Sequence, residues 1–383
     1  MQPGYSAAHD EKSRSDPIGH DGKSIPCRHP SRERSFRYMR KLISIVAVLA
    51  IVHVALLFVR VSGAAQPASN DAVDVGIVLD VGGLGDKSFN DGAYRGAVRA
   101  EKELGAHVRL VEPGEATDRE AGLRLLAAEK MDLVIGVGFI FTDDVTQLAK
   151  EYPNINFADV DYSLATDKAG NVLPPPANVA ALKFKEEEGS FLVGAMAALV
   201  GGSKKVGFVG GMDVPLIWKF EGGYKAGVKY VCPDCTVISQ YAGVTPDAFR
   251  NPGKGKEIAL NQYNQGVNVI YHASGATGLG VFEAARQTGK YAIGVDADQY
   301  AEAPGRVLTS MVKGIDIAVF DMIKRAKDHT FKGGIYTFGL AQDGVRYVYD
   351  ENNRALIPDA VHARLEQLKA DIIAGKITVP STR

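Results

Sequence analysis

The stretch Asp80-Val81-Gly82-Gly83-Leu84-Gly85-Asp86-Lys87-Ser88-Phe89-Asn90 is a glycine-rich turn that leads into an amphipathic segment. Its glycine spacing does not match GxGxxG, and Asp86 interrupts the GK[ST] core of a phosphate-binding loop. Asp80 and Asp86 flank the backbone amides that would have to hold an anion, and carboxylates there repel phosphate. A neutral ligand fits better. Asn90 offers amide donors and a carbonyl acceptor and Phe89 an aromatic face, a pairing suited to a planar polar ring such as a nucleobase. The same residues read equally well as a helix start, with Ser88 as cap, Phe89 packed inward and Asn90 solvated.

Other strand ends add similar chemistry. Asp161 follows 156–160, Asp296 follows 293–295, Tyr271 and His272 precede the loop 273–278, and Lys313 ends 308–312. An ionised carboxylate can accept two hydrogen bonds from a vicinal diol, so Asp80 or Asp296 could grip a sugar, and Lys313 could orient one of the acids. Each residue taken singly could equally be a turn former or a loop ion pair; their recurrence at strand ends is what favours a binding site. Phe220 follows a strand-end loop that could line the cleft, and with Trp218 it is next in line should Tyr271 not be a wall, but an aromatic near a helix start reads first as core packing. Cys232 and Cys235 form a CxxC pair with no further Cys or His clustered nearby, which suggests a small disulfide or two free thiols rather than zinc. No HExxH or GxSxG occurs, and His107, His272, His329 and His362 are scattered without metal spacing. No catalytic residue, metal or cofactor is therefore expected. A nucleoside hydrolase-like enzyme and a membrane-anchored sensor remain as rival readings.

The elements that must position these loops alternate in the manner of βαβ units. Strands are predicted at 75–79, 108–111, 133–137 and 155–160, with helices over 89–104, 118–129 and 143–152. A second series has strands at 205–209, 236–241, 267–272 and 291–295, with helices over 187–200, 222–231, 254–265 and 278–288. Residues 179–184 read as an extended crossover, and 307–312, the helix 315–329 and 336–339 as returns between lobes. The expected fold is α/β and two-lobed, like a periplasmic binding protein: each lobe is a mostly parallel sheet flanked by helices, hinged by several crossovers. Lobe 1 is predicted as 73–178 plus 300–332, and lobe 2 as 179–299 plus 333–383. Such hinges place ligands between lobes, at the carboxyl ends of strands.

The 383 residues suffice for two such cores, and 44 Lys+Arg against 45 Asp+Glu leave no basic excess for nucleic acid. The charge is uneven: residues 1–41 carry Lys12, Arg14, Lys23, Arg28, Arg32, Arg34, Arg37, Arg40 and Lys41 in a segment that cannot build a core. An apolar run at 42–59 and the small residues Ser62-Gly63-Ala64-Ala65 follow. Residues 1–38 thus read as an over-extended or disordered start, and 39–65 as a secretion signal or a membrane anchor, with cleavage near Ala64 or Ala65 preferred.

In order along the chain, the turn 80–90, Glu188-Gly189-Ser190-Phe191-Leu192-Val193-Gly194, Val206-Gly207-Phe208-Val209-Gly210-Gly211-Met212, Gly266-Val267-Asn268-Val269-Ile270, the loop 274–278, Gly294-Val295-Asp296-Ala297-Asp298-Gln299 and 307–313 resemble the basic membrane protein family. These are the purine nucleoside receptors that feed ABC transporters. The resemblance implies an extracytoplasmic, non-enzymatic monomer that captures a nucleoside, a purine favoured, and delivers it to a permease. It implies a base sandwiched between Phe89 and Tyr271, base-edge contacts from Asn90 and Asp161, ribose contacts from Asp80, Asp296 and Lys313, and a ligand-side position for Gly275. Related sequences carry Phe at the position of Tyr271. The lipid-anchoring cysteine frequent in the family is missing after the apolar run, which favours a free periplasmic receptor.

Overall fold

The computed structural model describes residues 72–114 and 118–383; the expectations for 1–38 and 39–65 lie outside the described residues. In chain order the elements are β1 (Asp74–Val78), α1 (Phe89–Leu104), β2 (His107–Val111), α2 (Asp118–Ala128), β3 (Leu133–Val137), α3 (Thr142–Glu151), β4 (Asn156–Val160) and β5 (Val179–Phe184). There follow α4 (Glu186–Val200), β6 (Lys205–Met212), α5 (Pro215–Val231), β7 (Thr236–Gly243), α6 (Pro252–Asn264), β8 (Val269–Ala273) and α7 (Gly278–Thr288). The last are β9 (Tyr291–Asp296), β10 (Val307–Lys313), α8 (Ile315–Lys327), β11 (Gly334–Phe338), β12 (Val345–Tyr347) and α9 (Asp359–Ile373). Among the described residues no helix is long and apolar enough to cross a membrane.

Two six-stranded sheets result, in the orders β11-β5-β4-β3-β1-β2 and β12-β10-β9-β8-β6-β7. Every pairing is parallel except β10 with β12. Parallel sheets must be covered on both faces, and the near-continuous apolar strands supply both. In β1, Val75 and Ile77 pack with Ala93 and Ala97 of α1, whereas Val78 packs on the opposite face with Leu123 and Leu126 of α2. The second sheet sets Ile270 and Ala292 against Val281 and Phe282 of α7, and Phe208 and Tyr271 against α4 and α5. Helices α4 and α5 approach backbone to backbone: a Cβ on Gly194 would sit 2.2 Å from the Tyr224 carbonyl oxygen, and one on Gly227 1.9 Å from that of Phe191. No side chain fits at either contact.

Three strands lie in the sheet opposite to the one their lobe assignment gave them. Residues 179–184 pair with β4, and the Asn178 amide donates to the carbonyls of Ala149, Tyr152 and Ile155, so this crossover is a first-sheet strand. Strand β10 joins β9 in the second sheet, and β11 joins β5 in the first. Apolar runs announce a strand but carry no record of its neighbour, which is why the pattern misplaces them.

The chain therefore passes between sheets at Lys185, at Gly314 and over 339–344. These crossings run side by side. The Lys185 amide donates to the Phe338 carbonyl, the Gly314 amide to the Gly344 carbonyl, and the rings of Phe184 and Phe338 stack at 5.2 Å. Cys232 and Cys235 are joined in a disulfide beyond the end of α5.

Candidate ligand-binding site

A cavity enclosing about 560 Å³, the part continuous with solvent included, is walled from both sheets. Asp80, Phe89, Asn90 and Asp161 border it from the first; Gly275, Asp296 and Lys313 border it from the second. Seven of the eight residues singled out from sequence thus meet around one space.

Tyr271 does not. It lies inside β8, fully buried, with its ring 5.2 Å from that of Tyr224 and 5.7 Å from that of Phe208, and its hydroxyl 3.2 Å from Ser190 Oγ. The strand reaches the cavity only at its carboxyl end, through Ala273, Ser274 and Gly275. The aromatic wall of the second lobe is made instead by Phe220, on the first turns of α5, and by Phe249. Phe220 shares a helix face with Leu216 and Ile217, which also border the cavity. That spacing was the available signal for it, and the core-packing reading of Phe220 is incomplete on this account.

The turn 80–90 is built around Asp86. Its carboxylate accepts from the amides of Ser88 at 2.9 Å, Asn90 at 2.8 Å and Asp91 at 3.2 Å, which caps α1. Ser88 holds the N-cap position, but its side chain does not cap: the hydroxyl donates to Asp296 Oδ2 at 2.8 Å, on the other sheet. Asn90 is not solvated either. It is buried, with Oδ1 accepting from the Asp80 amide at 2.9 Å and Nδ2 donating to Asp86 at 3.2 Å, so it keeps one N–H and one lone pair for a ligand.

Asp161 directly follows β4 and Asp296 is the last residue of β9, with φ of 68° and 63°, a left-handed conformation that aspartate tolerates better than most residues. Strain of this kind gathers at ligand sites. Burial pushes the Asp80 carboxyl up to about 7, and the amide of Val81 only partly opposes it. Burial likewise raises Asp296 to about 7 against the pull of Lys313.

Lys313 is the centre of the site. Its ammonium donates to both carboxylate oxygens of Asp161 at 2.6 Å and lies 2.9 Å from Glu186 Oε1. It also faces the rings of Phe89, Phe184 and Phe220, with centroids at 5.3, 4.8 and 5.7 Å. Burial alone would lower its pKa, but Asp161, Glu186 and Asp296 outweigh that and raise it, so the side chain is charged. Glu186, fully buried at the first crossing, also takes the ammonium of Lys219, which caps the Phe184 carbonyl as well. Sequence reasoning missed Glu186 because it sits among three consecutive glutamates at a helix start, where acids are ordinary.

The arrangement offers aromatic rings from both sheets, a rim of hydrogen-bonding acids and one caged cation. The model of the family described as ABC transporter substrate-binding protein PnrA-like matches residues 73–383. A CD4+ T-cell-stimulating antigen of Listeria monocytogenes is 36% identical over 80% of this chain and 87% of its own. The ABC transporter nucleoside-binding protein BmpA of Lactococcus lactis is 34% identical over 90% of this chain and all of its own (100%). A crystal structure of an ABC transporter solute-binding protein from Aeropyrum pernix K1 superposes with a TM-score of 0.74 at 29% identity, covering 81% of this chain and 94% of that one. The chain belongs to the PnrA-like family of ABC transporter substrate-binding proteins, the basic membrane protein family.

Proposed function

We propose that the protein captures a nucleoside, preferably a purine nucleoside, in the cavity between its sheets and delivers it outside the cytoplasm to an ABC permease, acting as a monomer without catalysis. The observation that carries this reading is the placement of Phe89 and Phe220, from opposite lobes, on one buried ammonium that sits between acids. A base stacked between the two rings would present its edge to Asn90 and Asp161. Its ribose hydroxyls would reach Asp80, Asp296 and Lys313, where carboxyls can accept from a diol.

The excess of carboxyl groups over ammonium groups in the cavity argues against a phosphorylated ligand. The name of the Lactococcus lactis relative supports nucleosides as the class. A disulfide at Cys232–Cys235 fits an oxidising compartment. Calorimetry of the chain from residue 66 with inosine, guanosine, adenosine and their 5′-monophosphates tests the reading. Binding of at least one nucleoside, tighter than its monophosphate, is expected; no nucleoside binding, or a preference for the monophosphates, overturns it.

A further inference from the structure

Lys313 has three N–H donors, and two are spent on Asp161, a residue of the other sheet. Any ligand that hydrogen-bonds to Asp161 must compete with that pair. Pulling Asp161 away would strand a buried charge, which is far costlier than losing a surface contact. A replacement partner is already in place. Glu186 Oε1 lies 2.9 Å from the ammonium in a buried ion pair whose angles fall outside those of a good hydrogen bond: the two charges are close but not aligned.

We propose that Glu186 is the reserve counter-charge of Lys313: when the ligand draws Asp161 toward its own donors, the ammonium turns its freed N–H groups onto Glu186 Oε1. Glu186 is then a positioning residue. It never touches the ligand but makes Asp161 available to it. Its other oxygen is fixed by Lys219, one residue before Phe220, so the carboxylate cannot follow the ligand and stays at the crossing. Burial would raise its pKa, but Lys219 and Lys313 outweigh burial and hold it at about 2, so the reserve is ionised at every working pH. The inference rests on the nucleoside reading and on Asp161 as a ligand contact.

The test is a double-mutant cycle for inosine affinity on the wild type, Glu186→Gln, Asp161→Asn and the double variant, with thermal-shift titration where binding is too weak for calorimetry. Glu186→Gln should lower affinity about tenfold or more in the wild-type background and by less than about threefold where Asp161 is already Asn, since a coupled pair is non-additive. A Glu186 that serves only the fold lowers the melting temperature and leaves affinity unchanged; that result, or equal losses of affinity in both backgrounds, overturns the proposal. Should Glu186→Gln lose its cooperative melt, Glu186→Asp, which keeps the charge but withdraws it from Lys313, replaces it in the same cycle. Failure of the wild type to bind any nucleoside removes the functional reading itself, whereas nucleoside binding with an additive cycle removes only the role of Glu186.

Discussion

Phe89 and Phe220 belong to different lobes, yet their ring centroids lie 5.3 and 5.7 Å from the same atom, Lys313 Nζ. The two walls of the proposed clamp are thus set by one cation, and Tyr271 is not one of them. Phe220→Ala should weaken nucleoside binding by about 1–3 kcal/mol, the range for one base–aromatic stack. Tyr271→Phe should leave affinity unchanged and cost about 1 kcal/mol of stability through the lost contact with Ser190. Calorimetry and urea melts of both variants check this; the reverse pattern would return the stack to Tyr271.

Asp296→Asn keeps the shape of the side chain and removes its charge. If Asp296 holds a buried hydroxyl, affinity should fall by roughly 2–5 kcal/mol. Chromatography of the nucleoside after long incubation with the wild type should return it intact; free base and ribose, lost in Asp296→Asn, would instead mark a hydrolase.

Burial pushes the carboxyls of Asp80 and Asp296 up to about 7 in the folded chain, against 3.8 for an exposed aspartate. Between those values the folded chain binds more protons than the unfolded one, so their contribution to stability declines as pH rises from about 4 to about 7 and levels off above. The ligand-free melting temperature should show that decline, and Asp80→Asn with Asp296→Asn should make it shallower, the remaining slope coming from Asp86, Asp159 and Asp161, whose carboxyls burial also raises. Hydrogen bonds to the ionised carboxylates are the stronger ones, so the stabilisation conferred by inosine should grow from pH 5 to pH 8. An inosine-induced gain that shrinks over this range would contradict the diol assignment.

The Cys232–Cys235 bridge closes a very short loop away from the cavity lining. Replacing both by Ser should cost about 2 kcal/mol or less and leave inosine affinity unchanged. Denaturant melts and calorimetry on the double variant decide it; a large loss of affinity would tie the end of α5 to the site.

The layers were legible because parallel strands buried on both faces announce themselves, as 133–137 does residue for residue in β3. Asp80, Asp161, Asp296 and Lys313 were legible because strand ends are where such sheets meet ligands. Pairing was not, which misplaced β5, β10 and β11. Tyr271 lies two residues inside the carboxyl end of β8, packed in the α4–α5 layer, whereas only the end of that strand borders the cavity. Phe249 and Glu186 stood on a short turn and a helix start, neither of which a search of strand ends visits.

The order of strands has a consequence for how the chain comes off the ribosome. The sheet begun by β1 acquires its last strand at Gly334–Phe338, and the sheet begun by β6 at Val345–Tyr347. No nascent chain that stops before Phe338 contains every strand of either layer, so neither layer can close before its last strand is made, unlike in proteins whose amino-terminal domain closes first. The three crossings that join the two sheets thus also tie the completion of one layer to that of the other.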